Sequence, residues 1–193
     1  MKRLLDIIGS ALLIVMFSPV MLLIAIIVKL DSDGPILFRQ RRCGLGGREF
    51  HMYKFRTMVV NADQIKRTLV NEVNGPMFKI SNDPRITRSG SVLRKWSLDE
   101  LLQLFNIFIG DMSLVGPRPL ATDEMSQNEV WRKVRLSVKP GLTGLWQIKG
   151  RGTKKFEDWI KYDIEYVEKQ SFLFDLKLLF MTVGSVLRRT GAE

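Results

Sequence analysis

The feature that most constrains this chain is a run with no charged residue from position 7 to position 28. As a straight helix, its about 22 residues would reach ~33 Å, enough to cross the ~30 Å hydrocarbon core of a bilayer. The stretch is too long for a cleavable signal, and the following Lys29-Leu30-Asp31-Ser32-Asp33 has no small-residue cleavage pattern, so it reads as a retained membrane element. Ser18-Pro19 lies near its middle. Proline removes a backbone donor and clashes with the preceding turn, so a sharp bend is expected there, with the Ser18 hydroxyl able to serve the freed carbonyl. Each arm would then be ~18 Å long, enough for one leaflet. Lys2 and Arg3 precede the run and Lys29, Arg39, Arg41 and Arg42 follow it, so the positive-inside rule draws both ends to the cytoplasm. Two arrangements stay open on these grounds: a re-entrant helix-break-helix, and a spanning helix with a tolerated kink.

The 193 residues suit one domain with a membrane attachment. Thirty Lys and Arg against 20 Asp and Glu give +10, which selects anionic partners: phosphorylated small molecules, an acidic membrane surface or nucleic acid. A single cysteine, Cys43, excludes an internal disulfide, and a single histidine, His51, leaves acid–base work to carboxylates.

Those carboxylates stand out in Arg94-Lys95-Trp96-Ser97-Leu98-Asp99-Glu100-Leu101-Leu102. Ser97 with Glu100 three positions on predicts a capping box, with an apolar helix continuing through Phe108. Asp99 would then lie in the first turn, where the helix dipole keeps it ionised, as a nucleophile or a metal ligand needs. The same pattern also fits a helix start with no chemistry. Upstream, Ile36-Leu37-Phe38 and the stretch 50–55 flank Gly44-Leu45-Gly46-Gly47 and predict a β-hairpin whose arms carry a basic ribbon. Lys54 and Arg56, two apart on a strand, are expected on one face. Exposed helices are expected over residues 61–73 and 121–138. Pro117-Arg118-Pro119 stiffens the backbone around one guanidinium suited to phosphate. In a helix from Phe156, Phe156, Ile160, Ile164 and Val167 form a core stripe, and Asp163 on it needs a cation, a metal or a buried donor. A last helix starting at Phe172 is apolar enough for the membrane interface.

Together these stretches resemble the monotopic phosphoglycosyl transferases, the bacterial sugar transferases that load polyprenol phosphate. The resemblance rests on Phe17-Ser18-Pro19, Tyr53-Lys54-Phe55-Arg56-Thr57-Met58, Leu93-Arg94-Lys95-Trp96-Ser97-Leu98-Asp99-Glu100-Leu101, Gly110-Asp111-Met112-Ser113-Leu114-Val115-Gly116-Pro117-Arg118-Pro119, Lys139-Pro140-Gly141-Leu142-Thr143-Gly144-Leu145-Trp146-Gln147 and Asp163-x-x-Tyr166. It covers nearly the whole chain and is closest to the catalytic region of the larger members, which carry further N-terminal regions. The chain would be either a small enzyme of this kind or such a region separated from a longer protein.

The resemblance implies an α+β, mainly helical fold: residues 1–30 as a re-entrant membrane helix broken at Ser18 and Pro19, and residues 31–193 as a catalytic domain on the cytoplasmic face of the bacterial inner membrane, with a small hairpin and amphipathic interface helices. Both termini would be cytoplasmic. It implies transfer of a phosphosugar from a UDP-sugar to undecaprenyl phosphate with release of UMP, the first membrane step of glycoconjugate or exopolysaccharide assembly. Asp99 would form the covalent phosphosugar intermediate and, with Glu100, hold Mg²⁺, and Lys54, Arg94 and Arg118 would lie near the phosphates; on the residue reading, Arg56 beside Lys54 is a further substrate contact, and Asp163 is either another or half of a buried structural salt bridge. The partners are then the UDP-sugar, polyprenol phosphate and membrane lipid, without nucleic acid. The competing reading is a non-catalytic membrane-anchored scaffold that binds anionic lipid or nucleic acid through the basic ribbon.

Overall fold

The computed structural model describes residues 1–72, 78, 80, 82–125, 128–150 and 155–187. It is mainly helical with two small sheets. Helix α1 (Lys2–Asp31) is one element, and the interruption expected at Ser18-Pro19 is absent from its secondary structure. A local substitute accounts for the continuity. The carbonyl that Pro19 leaves without an N–H is that of Val15, and Ser18 Oγ donates to it at 2.8 Å.

Along α1, Asp6, Ser10, Met21, Ile24 and Val28 are buried, and Leu13, Ile14 and Phe17 pack against the same core, so a stripe spaced by threes and fours faces the protein. Leu4, Ile8, Leu12, Val15, Leu22, Leu23 and Ile26 face outward, and the helix is long and apolar enough to cross a membrane.

Both ends of α1 are fastened to one body. At the start, Arg3 donates to the Ile107 and Phe108 carbonyls at 2.7 Å each, and Lys2 pairs with Asp175 and donates to the Val115 carbonyl at 3.0 Å. Asp6 Oδ1 accepts from Ser113 Oγ and from the Leu114 amide, both at 2.9 Å. At the other end, Asp31 Oδ2 accepts from the Ser89 amide at 3.1 Å and from Ser89 Oγ at 2.8 Å. Lys2 and Arg3, expected as charges at a membrane surface, therefore have internal partners.

Strands β1 (Leu37–Cys43) and β2 (Glu49–Phe55) form the expected hairpin, with Leu37 opposite Phe55 and Cys43 opposite Glu49. Gly46 and Gly47 turn it with φ of 66° and 83°. The helix expected over residues 61–73 shrinks to α2 (Ala62–Lys66), and the stop at Asn74-Gly75-Pro76 lies outside the described residues. Helix α3 (Arg88–Lys95) is capped by Thr87 Oγ1, which accepts from the Gly90 amide at 3.0 Å.

Helix α4 (Gln103–Ile109) ends at Gly110 in the left-handed region, φ 104°. Strand β3 (Ser113–Val115) pairs in parallel with β4 (Gly141–Thr143), a contact not anticipated from sequence. The helix expected over residues 121–138 is a 3₁₀ turn, Asp123–Met125, and α5 (Glu129–Leu136), which Asn128 caps by accepting from the Trp131 amide at 2.9 Å. Helices α6 (Leu145–Lys149), α7 (Phe156–Lys169) and α8 (Phe172–Leu187) complete the fold. On α7 the deepest residues are Trp159, Asp163 and Tyr166, while the aliphatic stripe read from sequence is half-buried.

The main core joins the inner stripe of α1 to Phe50, Met52, Phe55, Leu104, Ile107, Leu114 and Leu178; a second gathers Cys43, Leu120, Met125, Trp131, Trp146 and Trp159. Fully buried Asn106 links α4 to the hairpin edge, accepting from the Tyr53 amide at 3.0 Å and donating to the His51 carbonyl at 2.8 Å. Asn106→Ala strands both groups, and a loss of about 2–4 kcal/mol is expected in thermal unfolding. A loss under about 0.5 kcal/mol would show that the amide does not hold the strand.

Candidate active site

Asp99 and Glu100 lie on a 3₁₀ turn, Leu98–Glu100, and the helix proper begins at Gln103. The expected capping box does not form. Ser97 adopts φ 56°, ψ 23°, and its side chain makes no cap hydrogen bond. Left-handed backbone at a non-glycine residue costs about 1–3 kcal/mol and concentrates at functional sites. Glu100 is drawn elsewhere: its Oε1 lies 2.8 Å from Lys54 Nζ and 3.2 Å from Arg118 Nη1. Asn106 fixes β2 against α4 and so holds Lys54 opposite the dyad.

Asp99 is 7% exposed. Its carboxyl sits above the ordinary carboxylate range because burial disfavours its charge; Lys54, Arg94 and Arg118 pull the other way, and Glu100 adds to the rise. The cations around it, rather than a helix N-terminus, counter its charge. Arg94 is aimed by the bond from its Nε to Thr57 Oγ1, 2.9 Å. All of these groups line one cavity of about 510 Å³ in which seven basic side chains face five acidic ones, an excess that suits an anionic ligand.

Lys54, Arg94, Arg118, Asp99 and Glu100 are thus brought together. Arg56 follows directly on the end of β2 at Phe55 and is buried. It borders the cavity, but its guanidinium serves the end of α1: Nε donates to the Pro35 carbonyl at 2.6 Å, Nη1 to Ser32 Oγ at 2.8 Å and Nη2 to the Ser32 carbonyl at 2.7 Å. Asp163, expected to contact substrate, lies outside the cavity lining. It is 2% exposed on α7 and holds Arg135 Nη1 at 3.4 Å and Trp131 Nε1 at 2.9 Å. A carboxylate that deep needs such partners to offset its desolvation. Thr57, Asn106 and Arg135 were missed from sequence: each acts on residues distant in the chain, and local patterns carry no trace of that.

Burial pushes Asp163 up to about 6, against the pull of Arg135 and of the bond from Trp131. This folded-state value exceeds the unfolded one, so the stability Asp163 contributes is complete below pH about 4 and is lost as pH rises through about 6. Asp163→Asn removes that dependence. Relative to wild type, the variant should gain up to about 3 kcal/mol between pH 4 and pH 6.5 in denaturant unfolding; a difference constant across that window refutes the assignment.

Paired carboxylates under converging cations, on a body joined to a helix long and apolar enough to cross a membrane, form a site suited to anions. The chain belongs to the bacterial sugar transferase family, whose profile matches residues 1–189. Among curated relatives, the galactosyl transferase CpsE of Streptococcus agalactiae serotype III is 44% identical over 100% of this chain and 43% of its own length. The UDP-glucose:undecaprenyl-phosphate glucose-1-phosphate transferase of Klebsiella pneumoniae is 43% identical over 94% of this chain and 39% of its own. The exopolysaccharide production protein ExoY of Rhizobium meliloti is 38% identical over 99% of this chain and 87% of its own. The chain therefore spans about two fifths of the first two relatives and most of the third.

Proposed function

We propose that this protein transfers a phosphosugar from a UDP-sugar to a polyprenol phosphate of the undecaprenyl type, at the cytoplasmic face of the inner membrane. The observation that carries the reading is the convergence of Lys54, Arg94 and Arg118 on Asp99 and Glu100 in one cavity. The names of the Klebsiella and Streptococcus relatives support the substrate class and leave glucose and galactose open.

In the first half-reaction an Asp99 oxygen attacks the phosphorus that bears the sugar. The new P–O bond forms as the bond to the bridging diphosphate oxygen breaks, and UMP leaves with that oxygen. In the second half, a phosphate oxygen of the polyprenol phosphate attacks the same phosphorus. The bond to Asp99 breaks, its carboxylate is restored, and polyprenyl-diphosphate-sugar departs. Lys54, Arg94 and Arg118 neutralise charge on the phosphoryl oxygens in both halves.

Among the described residues no group of three or more Asp, Glu, His or Cys side chains could hold a metal unaided. Mg²⁺ commonly uses one or two carboxylates and completes its shell with water and substrate phosphates. Glu100, with Asp99, would hold it, and when bound it supplies further charge neutralisation at the diphosphate.

The proposed membrane seat rests on α1: the tying of both its ends to one body favours an apolar outer face that dips into the bilayer without carrying either end across, and the exposed Phe105, Phe108 and Ile109 of α4 and Leu173, Phe180 and Val183 of α8 are suited to interfacial contact. Arg56 fastens the cavity rim to the far end of α1, where a lipid phosphate and a soluble nucleotide can reach one nucleophile. Tags on both termini should stay shielded from an external reagent in intact cells; labelling of one terminus alone would establish a span.

The chemistry is tested by incubating the protein with Mg²⁺ and a panel of UDP-sugars and weighing it intact, then adding polyprenol phosphate and measuring UMP. A mass increase of one phosphosugar, followed by turnover, is expected. Product formation without any trapped adduct rejects the covalent route. No release with any sugar nucleotide rejects the transferase in favour of the scaffold, for which a desolvated carboxylate beneath three cations has no purpose.

A further inference from the structure

Arg135 lines neither the cavity nor the dyad, yet it is the most deeply buried cation among the described residues: Nη2 donates to a carbonyl, and Nη1 faces a carboxylate as an ion pair without a hydrogen bond. We infer that Arg135 is a positioning residue, which holds the backbone of Arg118 from behind and so fixes the Arg118 guanidinium over the transferred phosphate.

Pro117 and Pro119 have no N–H to donate, so two backbone donors are missing immediately beside Arg118 and the carbonyls there carry more of the anchoring. The Pro117 carbonyl accepts from the Gly141 amide at 2.8 Å, and the Arg118 carbonyl accepts from Arg135 Nη2. Behind Arg135, Cζ lies 4.5 Å from the Trp131 ring centre and 5.7 Å from that of Trp159, and Nη1 lies 3.4 Å from Asp163 Oδ2. Trp131 Nε1 locks that carboxylate at 2.9 Å. Asp163 thus reaches the site through two arginines instead of by contact with substrate. A planar fork that stacks between indoles while donating to a carbonyl is a task for Arg that Lys does not reproduce.

The inference rests on Arg118 contacting the substrate phosphate, and a double-mutant cycle on the full chain in lipid nanodiscs separates the two claims. Arg135→Lys should lower kcat for UMP release about ten- to a hundredfold with KM changed far less, since the misplaced group acts in the transition state. In an Arg118→Ala background the same change should cost less than about twofold, because the group it positions is gone. Asp163→Asn, whose amide oxygen still accepts from Trp131, should behave alike and carries the cycle should Arg135→Lys fail to fold. Losses that multiply across the two backgrounds overturn the positioning role, as does an Arg135→Lys enzyme of wild-type kcat. Wild-type activity in Arg118→Ala alone would instead overturn the reading of Arg118 beneath it.

Discussion

Asp99→Asn releases UMP at a rate lower than wild type by about a thousandfold or more, and no phosphosugar adduct appears when it is weighed after incubation with sugar nucleotide. The substitution keeps the shape of the side chain and leaves Lys54, Arg94 and Arg118 in place, so binding of the sugar nucleotide persists. Stability should move the other way. Burial holds the Asp99 carboxyl above its ordinary range, so its folded-state pKa exceeds the unfolded one, and what it contributes to stability is lost as pH rises through its titration. At neutral pH a neutral amide at this position should therefore be no less stable than the carboxylate in thermal unfolding. A group whose removal abolishes turnover while sparing the fold is retained for chemistry. Wild-type turnover in Asp99→Asn would assign the nucleophile elsewhere, and a collapsed fold would mean that the charge is structural.

What sequence made legible here was local. The uncharged run gave α1 because length and apolarity alone decide it, and the glycines between two basic stretches gave the β1–β2 hairpin because turn chemistry is short-range. The dyad was found by its residue types, but its geometry was misread. Ser97 and Glu100 satisfy a local capping rule, while Lys54, 46 positions away, and Arg118, 18 positions away, claim the carboxylate in the fold. A charge-assisted bond outweighs a capping bond of about 1 kcal/mol, so the long-range partners win. Arg56 does border the cavity with Lys54, but strand periodicity says nothing of the Ser32 and Pro35 carbonyls that its guanidinium meets. Arg135 resembled any cation on a polar helix until α7 and the Arg118 loop closed around it.

The second large effect is expected at Gly141, where the loop bearing Arg118 meets its support. Strands β3 and β4 run side by side with Ser113 opposite Gly141 and Val115 opposite Thr143, and the Gly116 amide donates to the Thr143 carbonyl at 2.9 Å. A Cβ on Gly141 would stand 2.6 Å from the Gly116 Cα, against backbone that no side-chain rotation can clear. Gly141→Ala must therefore spread the pair, weakening the bonds from Gly116 to Thr143 and from Gly141 to Pro117, each worth about 0.5–1.5 kcal/mol, and adding about 1–3 kcal/mol of overpacking. Thermal unfolding should report a loss of about 3 kcal/mol or more, and UMP release should fall as Arg118 shifts from Glu100. Gly184 supplies the opposite case: it lies within α8 with nothing inside 4 Å of its missing Cβ, so Gly184→Ala should stabilise by about 0.5–1 kcal/mol through helix propensity alone. Two glycine-to-alanine changes of opposite sign separate close backbone approach from mere conformational freedom, and a Gly141→Ala protein as stable as wild type would remove the strand pair as the support of the site.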